Sequence, residues 1–338
     1  MAGVCMHEAR LRGALLRGTN FADADLSGSD LSHADLSGAN FKQATLAQVN
    51  FEHSKLERVT MTQAVLTPDA DLRFTSCQSS VFQQVDFCGA VLADADFRGS
   101  DFTYSRLDGA DLRRANFQGT DFSFATLDQA LIHDANMRGA KFRLASLQGA
   151  ELNKAELNGA YFTKANLSFA NLSEASLLQT HLRAANMTDA NLEGCHHRNA
   201  LLNRAKLNKA KLSKAILSGA QIQGAYLDGI QLDGADLSQA NLAMSDLSGA
   251  YLKGADLSNA NLNGANLHKA DLSNTLANGV KMAAAILTHA HLKDASLVRA
   301  NLRDADLTNA NLSGVHLNRA YLVSCCLNNA QMNDVDLA

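Results

Sequence analysis

Two stretches far apart in the chain read alike: Ala24-Asp25-Leu26-Ser27-Gly28 and Ala265-Asn266-Leu267-His268-Lys269. In each, a small residue is followed by Asp or Asn, then leucine, then two further residues. From Ala70 onward this unit of five recurs without a gap, with apolar centres at Leu72, Cys77, Phe82, Phe87, Leu92 and on to Leu337, 54 in all. Only Cys77, His197 and Ala277 among these centres are not Leu, Phe, Ile or Met, and Ala fills 39 of the 54 positions two places before a centre. An inward set so uniform implies one local structure repeated many times. An earlier block has 13 centres from Met6 to Leu66, and six residues instead of five separate Leu66 from Leu72, with the only proline, Pro68, between them. The expected organisation is a short lead at 1–5, a first repeat block at 6–66, a register break at 67–71 and a second block at 72–338, the two blocks forming one continuous solenoid. Proline cannot donate a ladder hydrogen bond, so a bulge or kink is expected at Pro68.

A period of five suits neither regular element, because five residues advance about 500° around a helix and five is odd against the two-residue period of a strand. The chain must turn once per unit. Apart from Gly3, every one of the 22 glycines lies two places after a centre, where a tight turn calls for positive φ. Phe82, Phe102, Phe122, Phe142 and Phe162 recur every 20 residues, so four units per coil would stack these rings into a ladder.

With these motifs the chain resembles the pentapeptide-repeat family, whose consensus A(D/N)LXX stands verbatim at Ala24–Gly28 and Ala265–Lys269. The resemblance covers nearly the whole chain. It implies an all-β fold, a right-handed quadrilateral β-helix with one pentapeptide per face. For 67 units that gives about 17 coils, and roughly 80 Å of rod at the spacing of stacked strands.

Composition agrees with a folded chain: 46% of the 338 residues are hydrophobic, 19% are charged and the net charge is −4, which excludes disorder driven by charge. No apolar run is long enough for a spanning helix, and the opening MAGVCMHEAR lacks the basic start and apolar stretch of a cleaved export signal. Six cysteines without Cys-x-x-Cys spacing fit a reducing compartment. A cytoplasmic location is therefore expected, with signal-independent secretion compatible.

Catalytic motifs are missing, no loop is inserted between units of the long block, and the many carboxylates sit mostly one place before a centre, where they read as a solvated face. No enzyme and no cofactor is expected. Cys195-His196-His197 invites a metal reading, but alternation points Cys195 and His197 inward and His196 outward and so splits the trio. No metal site is expected. His197 reads as a neutral core histidine between Leu177 and Leu217 that needs a hydrogen-bond partner. An outward residue such as Asn261 reads as dispensable, its loss costing under about 0.5 kcal/mol.

Charge is banded along the sequence. Residues 1–66 sum to −1, 67–134 to −6, 135–220 to +7, 221–280 to −4 and 281–338 to zero. Between Glu193 and Asp228 no acid occurs, while Arg198, Arg204, Lys206, Lys209, Lys211 and Lys214 fall within one coil and form a basic belt. A belt around a rod is not a strand-length groove with aromatics, so nucleic acid is not expected as a partner. The face of the Phe ladder is more directional. It carries Lys141, Arg143, Lys164, Arg183 and Arg204 outward, and beside them Tyr104, Phe124 and Leu144 occupy one corner at intervals of 20, where glycine or a polar residue is usual. An apolar column flanked by cations is a candidate surface for a protein partner.

The function these features imply is a non-enzymatic binding scaffold, a rod presenting faces to a protein partner, and bacterial secretion-associated and effector proteins with pentapeptide repeats resemble it in length. The alternative is a DNA mimic like the gyrase-protecting members of the family. Duplex DNA carries about one charge per 1.7 Å, which a net −4 with a cationic middle imitates poorly. The repeats run into Leu337 and Ala338 with no polar cap, which predicts that the C-terminal coil stacks on a second copy in an end-to-end homodimer or on a partner.

Overall fold

The computed structural model describes residues 1–66 and 70–337. Each unit of five runs through a small residue, a bridging residue, a central residue and two turn residues, and the small and central residues are buried in all but the first and last coils. The contacts divide the chain into two compact units, Met1–Asn171 and Leu172–Ala338. Within each, the bridging residues pair in parallel 20 residues apart, as in Cys5↔Asp25 and Asp101↔Asp121 in the first unit and Asp236↔Asp256 and Asn241↔Asn261 in the second. Four pentapeptides thus make one coil, as the spacing of the phenylalanines predicts. Among the described residues there is no helix, and none long and apolar enough to cross a membrane.

The backbone hydrogen bonds explain why the unit is five residues long. The small residue closes a turn back to the preceding centre, Ala24 N–H to Phe21 C=O at 3.1 Å. The bridging and central N–H groups then donate to the coils on either side, Asp25 to Val4 at 2.9 Å and Leu26 to Thr45 at 2.9 Å, and the second turn residue adds a third rung, Gly28 to Ala47 at 2.9 Å. That leaves the first turn residue. Where the bridging residue is Asp or Asn, its side chain takes the N–H of that turn residue, Ser27 N–H donating to Asp25 Oδ1 at 3.1 Å and Ser258 N–H to Asp256 Oδ1 at 2.8 Å. Asp and Asn are favoured at the bridging position because they cap this otherwise orphaned donor. Much of the expected solvated face is therefore structural, and Asn261, which accepts from the Asn263 N–H at 3.2 Å and donates to Asn241 at 3.1 Å, is part of it.

The second turn residue is left-handed whether or not it is glycine: φ is 65° at Gly264 and 57° at Asn259. The residues before Met6 take the same turn, with Gly3 at φ 63° and its N–H donating to Ala22. Pro68 and its expected kink lie outside the described residues. Around them the bridges run Asn50↔Asp71, Lys55↔Ser76, Thr60↔Val81 and Val65↔Asp86, a spacing of 21, so the extra residue is absorbed within one coil and pairing continues at 20.

The interior of Met1–Asn171 is aromatic. Phe21 stacks on Phe41 at 5.1 Å, and Phe82, Phe102, Phe122, Phe142 and Phe162 stack in series at 4.6–5.1 Å. Bridges link residue 40 to 60 and 60 to 81, which places Met61 between Phe41 and Phe82 and puts all eight centres on one face. The interior of Leu172–Ala338 is aliphatic, and it contains a slender cavity of about 10 Å³ lined by leucine and isoleucine, among them Leu202, Leu217, Ile222 and Leu242.

Candidate functional site

The apolar corner forms within Met1–Asn171 because Tyr104, Phe124 and Leu144 are second turn residues of successive coils, and the rungs Tyr104 N–H to Ser123 C=O, Phe124 N–H to Arg143 C=O and Leu144 N–H to Thr163 C=O stack their corners. The Tyr104 and Phe124 rings lie 4.8 Å apart and 5° from parallel. Arg143 brings its guanidinium carbon to 5.4 Å from the centre of the Phe124 ring, a cation–π contact. Tyr104 is 56% exposed and Leu144 41%, while Phe124 is half-buried. Lys141, on the adjoining face, reaches Asp121 at 3.5 Å, and Lys164 stands exposed at the same corner one coil after Leu144. All three apolar residues hold left-handed backbone, φ 58–64°. Glycine would take it freely, and a polar side chain would recover part of the cost through a local hydrogen bond. These three have neither recourse.

Arg183 and Arg204 lie in Leu172–Ala338, both exposed. The basic belt is there too. Arg198, Lys206, Lys209, Lys211 and Lys214 are all exposed and, with Arg204, fall on the four successive pentapeptides centred on His197, Leu202, Leu207 and Leu212.

Every arginine of the acidic band at residues 67–134 is paired with one of its carboxylates. Arg73 forks onto Asp71, Arg98 onto Asp96 and Arg113 onto Asp111, each closing to 2.6–2.7 Å. Arg114 reaches Asp94 at 2.6 Å and Arg106 reaches Asp86 at 2.9 Å from the next coil. The Arg114 guanidinium, through its hydrogen bonds, holds the Asp94 carboxyl below the usual carboxylate range.

Cys195-His196-His197 is split as alternation predicts: Cys195 and His197 are fully buried and His196 is exposed. Cys195 donates its thiol proton to the Leu172 carbonyl at 2.8 Å, and burial pushes the thiol up to about 12. His197 is pushed down to about 3, first by burial and then by His196, so it is neutral as expected. The partner it was expected to need is missing, since neither ring nitrogen makes a hydrogen bond.

Sequence reasoning overlooked a second stacked corner. His33, His53 and Phe74 are second turn residues of successive coils, with ring centres 5.1 and 4.9 Å apart. Their numbers differ by 20 and then 21, so the register break hides the column from a search at fixed spacing.

The model of pentapeptide repeats matches residues 5–43 and then, in overlapping copies, most of 69–337. This chain belongs to the pentapeptide-repeat family. The relatives of this pentapeptide-repeat protein with solved structures include HetL, a pentapeptide repeat protein involved in heterocyst differentiation regulation in the cyanobacterium Nostoc sp. strain PCC 7120, at 32% identity over 76% of this chain and 91% of that one, with a TM-score of 0.31. QnrB1, a plasmid-mediated fluoroquinolone resistance protein, is 21% identical over 59% of this chain and 92% of its own, TM-score 0.32. Rfr23 from the cyanobacterium Cyanothece 51142 is 35% identical over 30% of this chain and 64% of its own, TM-score 0.18. No curated protein matches the chain.

Proposed function

We propose that this pentapeptide-repeat protein is a non-enzymatic binding scaffold whose docking surface is the Tyr104–Phe124–Leu144 corner with Arg143, Lys141 and Lys164. The observation that carries the reading is the exposed stack of Tyr104 on Phe124, capped by the Arg143 guanidinium and held in a backbone conformation that suits glycine better. Rigid aromatics beside arginine are the residue types that dominate the energetics of protein interfaces. With three cations around an apolar strip, the complementary partner is a protein segment that alternates apolar and acidic side chains.

The duplex-mimic alternative has the charge pattern against it. Five acids of residues 67–134, Asp71, Asp86, Asp94, Asp96 and Asp111, are paired with arginines of the same or the next coil, whereas a duplex presents unpaired phosphates to its reader.

The test is retention of a defined partner by the intact chain and by the triple variant Tyr104→Gly, Phe124→Gly, Leu144→Gly. Glycine at these left-handed corners keeps the backbone comfortable, so the melting temperature should hold while retention falls. Equal retention by both would end the reading. Inhibition or protection of DNA gyrase in a supercoiling assay would favour the alternative.

A further inference from the structure

The first coil carries a group of donors that the docking surface does not use. Cys5 and Asp25 are bridging residues paired across the gap between adjacent coils, so their side chains leave the backbone side by side. His7 is the first turn residue after Met6, whose N–H is clamped to the Asp25 carbonyl at 2.7 Å. The three side chains converge: Cys5 Sγ, a His7 ring nitrogen and an Asp25 carboxylate oxygen all lie within 4.8 Å of one another, and His7 Nε2 is 3.0 Å from Asp25 Oδ2. Among the described residues no other three His, Cys, Asp or Glu side chains meet in this way.

The Asp25 carboxylate is held in place for such a role. Its Oδ1 accepts from the Ser27 N–H at 3.1 Å and from the Ser27 hydroxyl at 2.7 Å, which leaves Oδ2 turned toward His7. Partners of this kind, bonded to the far side of a ligand, are what orient metal-binding carboxylates.

We propose that Cys5, His7 and Asp25 form a surface site for a borderline divalent transition-metal ion, with zinc as the natural occupant. Thiolate, imidazole and carboxylate together suit zinc, whose bonds of about 2.0–2.3 Å set donor-to-donor edges of roughly 3.3–3.8 Å in a tetrahedron. The His7–Asp25 distance is already near that edge, and the thiol of the exposed Cys5 lies within 4.8 Å of both. On binding, the Cys5 thiol loses its proton to solvent and the sulfur lone pair goes to the metal. Three protein donors leave a fourth position open to water or to a side chain of another molecule. The sequence reading, which takes residues 1–5 as a lead and expects no metal, passes over this site.

The experiment is a cobalt(II) titration of the reduced full chain, followed by the near-ultraviolet thiolate charge-transfer band and then by zinc displacement. One equivalent should bind with that band present. Cys5→Ser should abolish the band, while His7→Ala and Asp25→Asn should each weaken binding about tenfold or more. Asn keeps the turn cap, so Asp25→Asn should melt like the parent chain, and Cys326→Ser should leave the titration unchanged. The proposal is overturned if the intact chain shows no thiolate band, if the band survives in Cys5→Ser, or if Asp25→Asn binds as tightly as the parent.

Discussion

The two compact units share one backbone template but fill it differently. All 14 phenylalanines fall in Met1–Asn171 and none in Leu172–Ala338, so the first interior is a stack of rings and the second is a column of leucines with a thin gap and an unpartnered histidine. The surface code does not change with the interior: Asp or Asn caps the turn in both, as in Asn50 to the Glu52 N–H at 2.9 Å and Asp256 to the Ser258 N–H at 2.8 Å. The coil is therefore specified by its hydrogen bonds and turn caps, and the interior decides how well it is packed.

The sharpest way to separate the interiors is to empty them. Phe122→Ala in the aromatic unit should destabilise by about 3–5 kcal/mol, because its ring is sandwiched between Phe102 and Phe142 and the rungs prevent collapse. Leu257→Ala, in the aliphatic unit, should fall toward the lower end of about 2–5 kcal/mol. Chemical denaturation reads both, and equal losses would erase the distinction.

His197 adds to the second unit an acid sensitivity above the carboxylate range, since among the described residues no other histidine is buried. Its folded pKa of about 3 lies below the ordinary value of 6.5, so the unfolded chain takes up the proton first. This contribution is fully present above about pH 6.5 and is lost as pH falls toward 3. Between pH 6.5 and 4.5, before most carboxylates titrate, about 2–3 kcal/mol should disappear. His197→Leu should flatten that part of the profile and raise stability at neutral pH by removing two buried, unbonded nitrogens. A profile unchanged by the substitution would place the acid sensitivity elsewhere.

The turn caps should behave alike in both units. Asn50→Ala and Asp256→Ala should each cost about 1 kcal/mol, and Asp256→Asn should cost far less because the capping oxygen remains. A cap that matters in one unit only would show that the surface code depends on the interior after all. The smallest expected effect is a gain: Ile222→Phe, beside the apolar cavity, should stabilise by under about 1 kcal/mol if the ring finds room and destabilise through overpacking if it does not, as a shift in melting temperature will show.

The fold was legible because the repeat announces itself: a period of five excludes helix and strand, and glycine marks the turn. Alternation placed Cys195 and His197 inward correctly, and the spacing of 20 found the Tyr104–Phe124–Leu144 corner. What stayed hidden had a common cause in the one extra residue between Leu66 and Leu72. It takes Phe21 and Phe41 out of step with Phe82, so the ladder reads as five rings when its face holds eight centres, and it conceals the His33–His53–Phe74 column. The Cys5–Asp25 pairing is hidden differently, by reading the first five residues as a lead when they take the same turn as the rest. The bridging Asp and Asn look merely polar in the sequence, since nothing there shows that the N–H two residues on lacks a backbone partner.

The rungs also set how such a chain yields to force. Within each unit the inter-coil hydrogen bonds, such as Leu257 N–H to Leu276 C=O at 2.7 Å and Asp256 N–H to Ala235 C=O at 2.9 Å, run along the direction in which the coils stack. Pulling on one end of a unit loads the few bonds of the outermost coil in turn and never shears many together, so the coils should peel away one by one. Each coil away from the register break holds 20 residues and would release roughly 65–70 Å of contour. Such a molecule would pay out chain as a spool does, at low and nearly constant tension, with a step length fixed by the four-sided winding and indifferent to whether phenylalanine or leucine fills the middle.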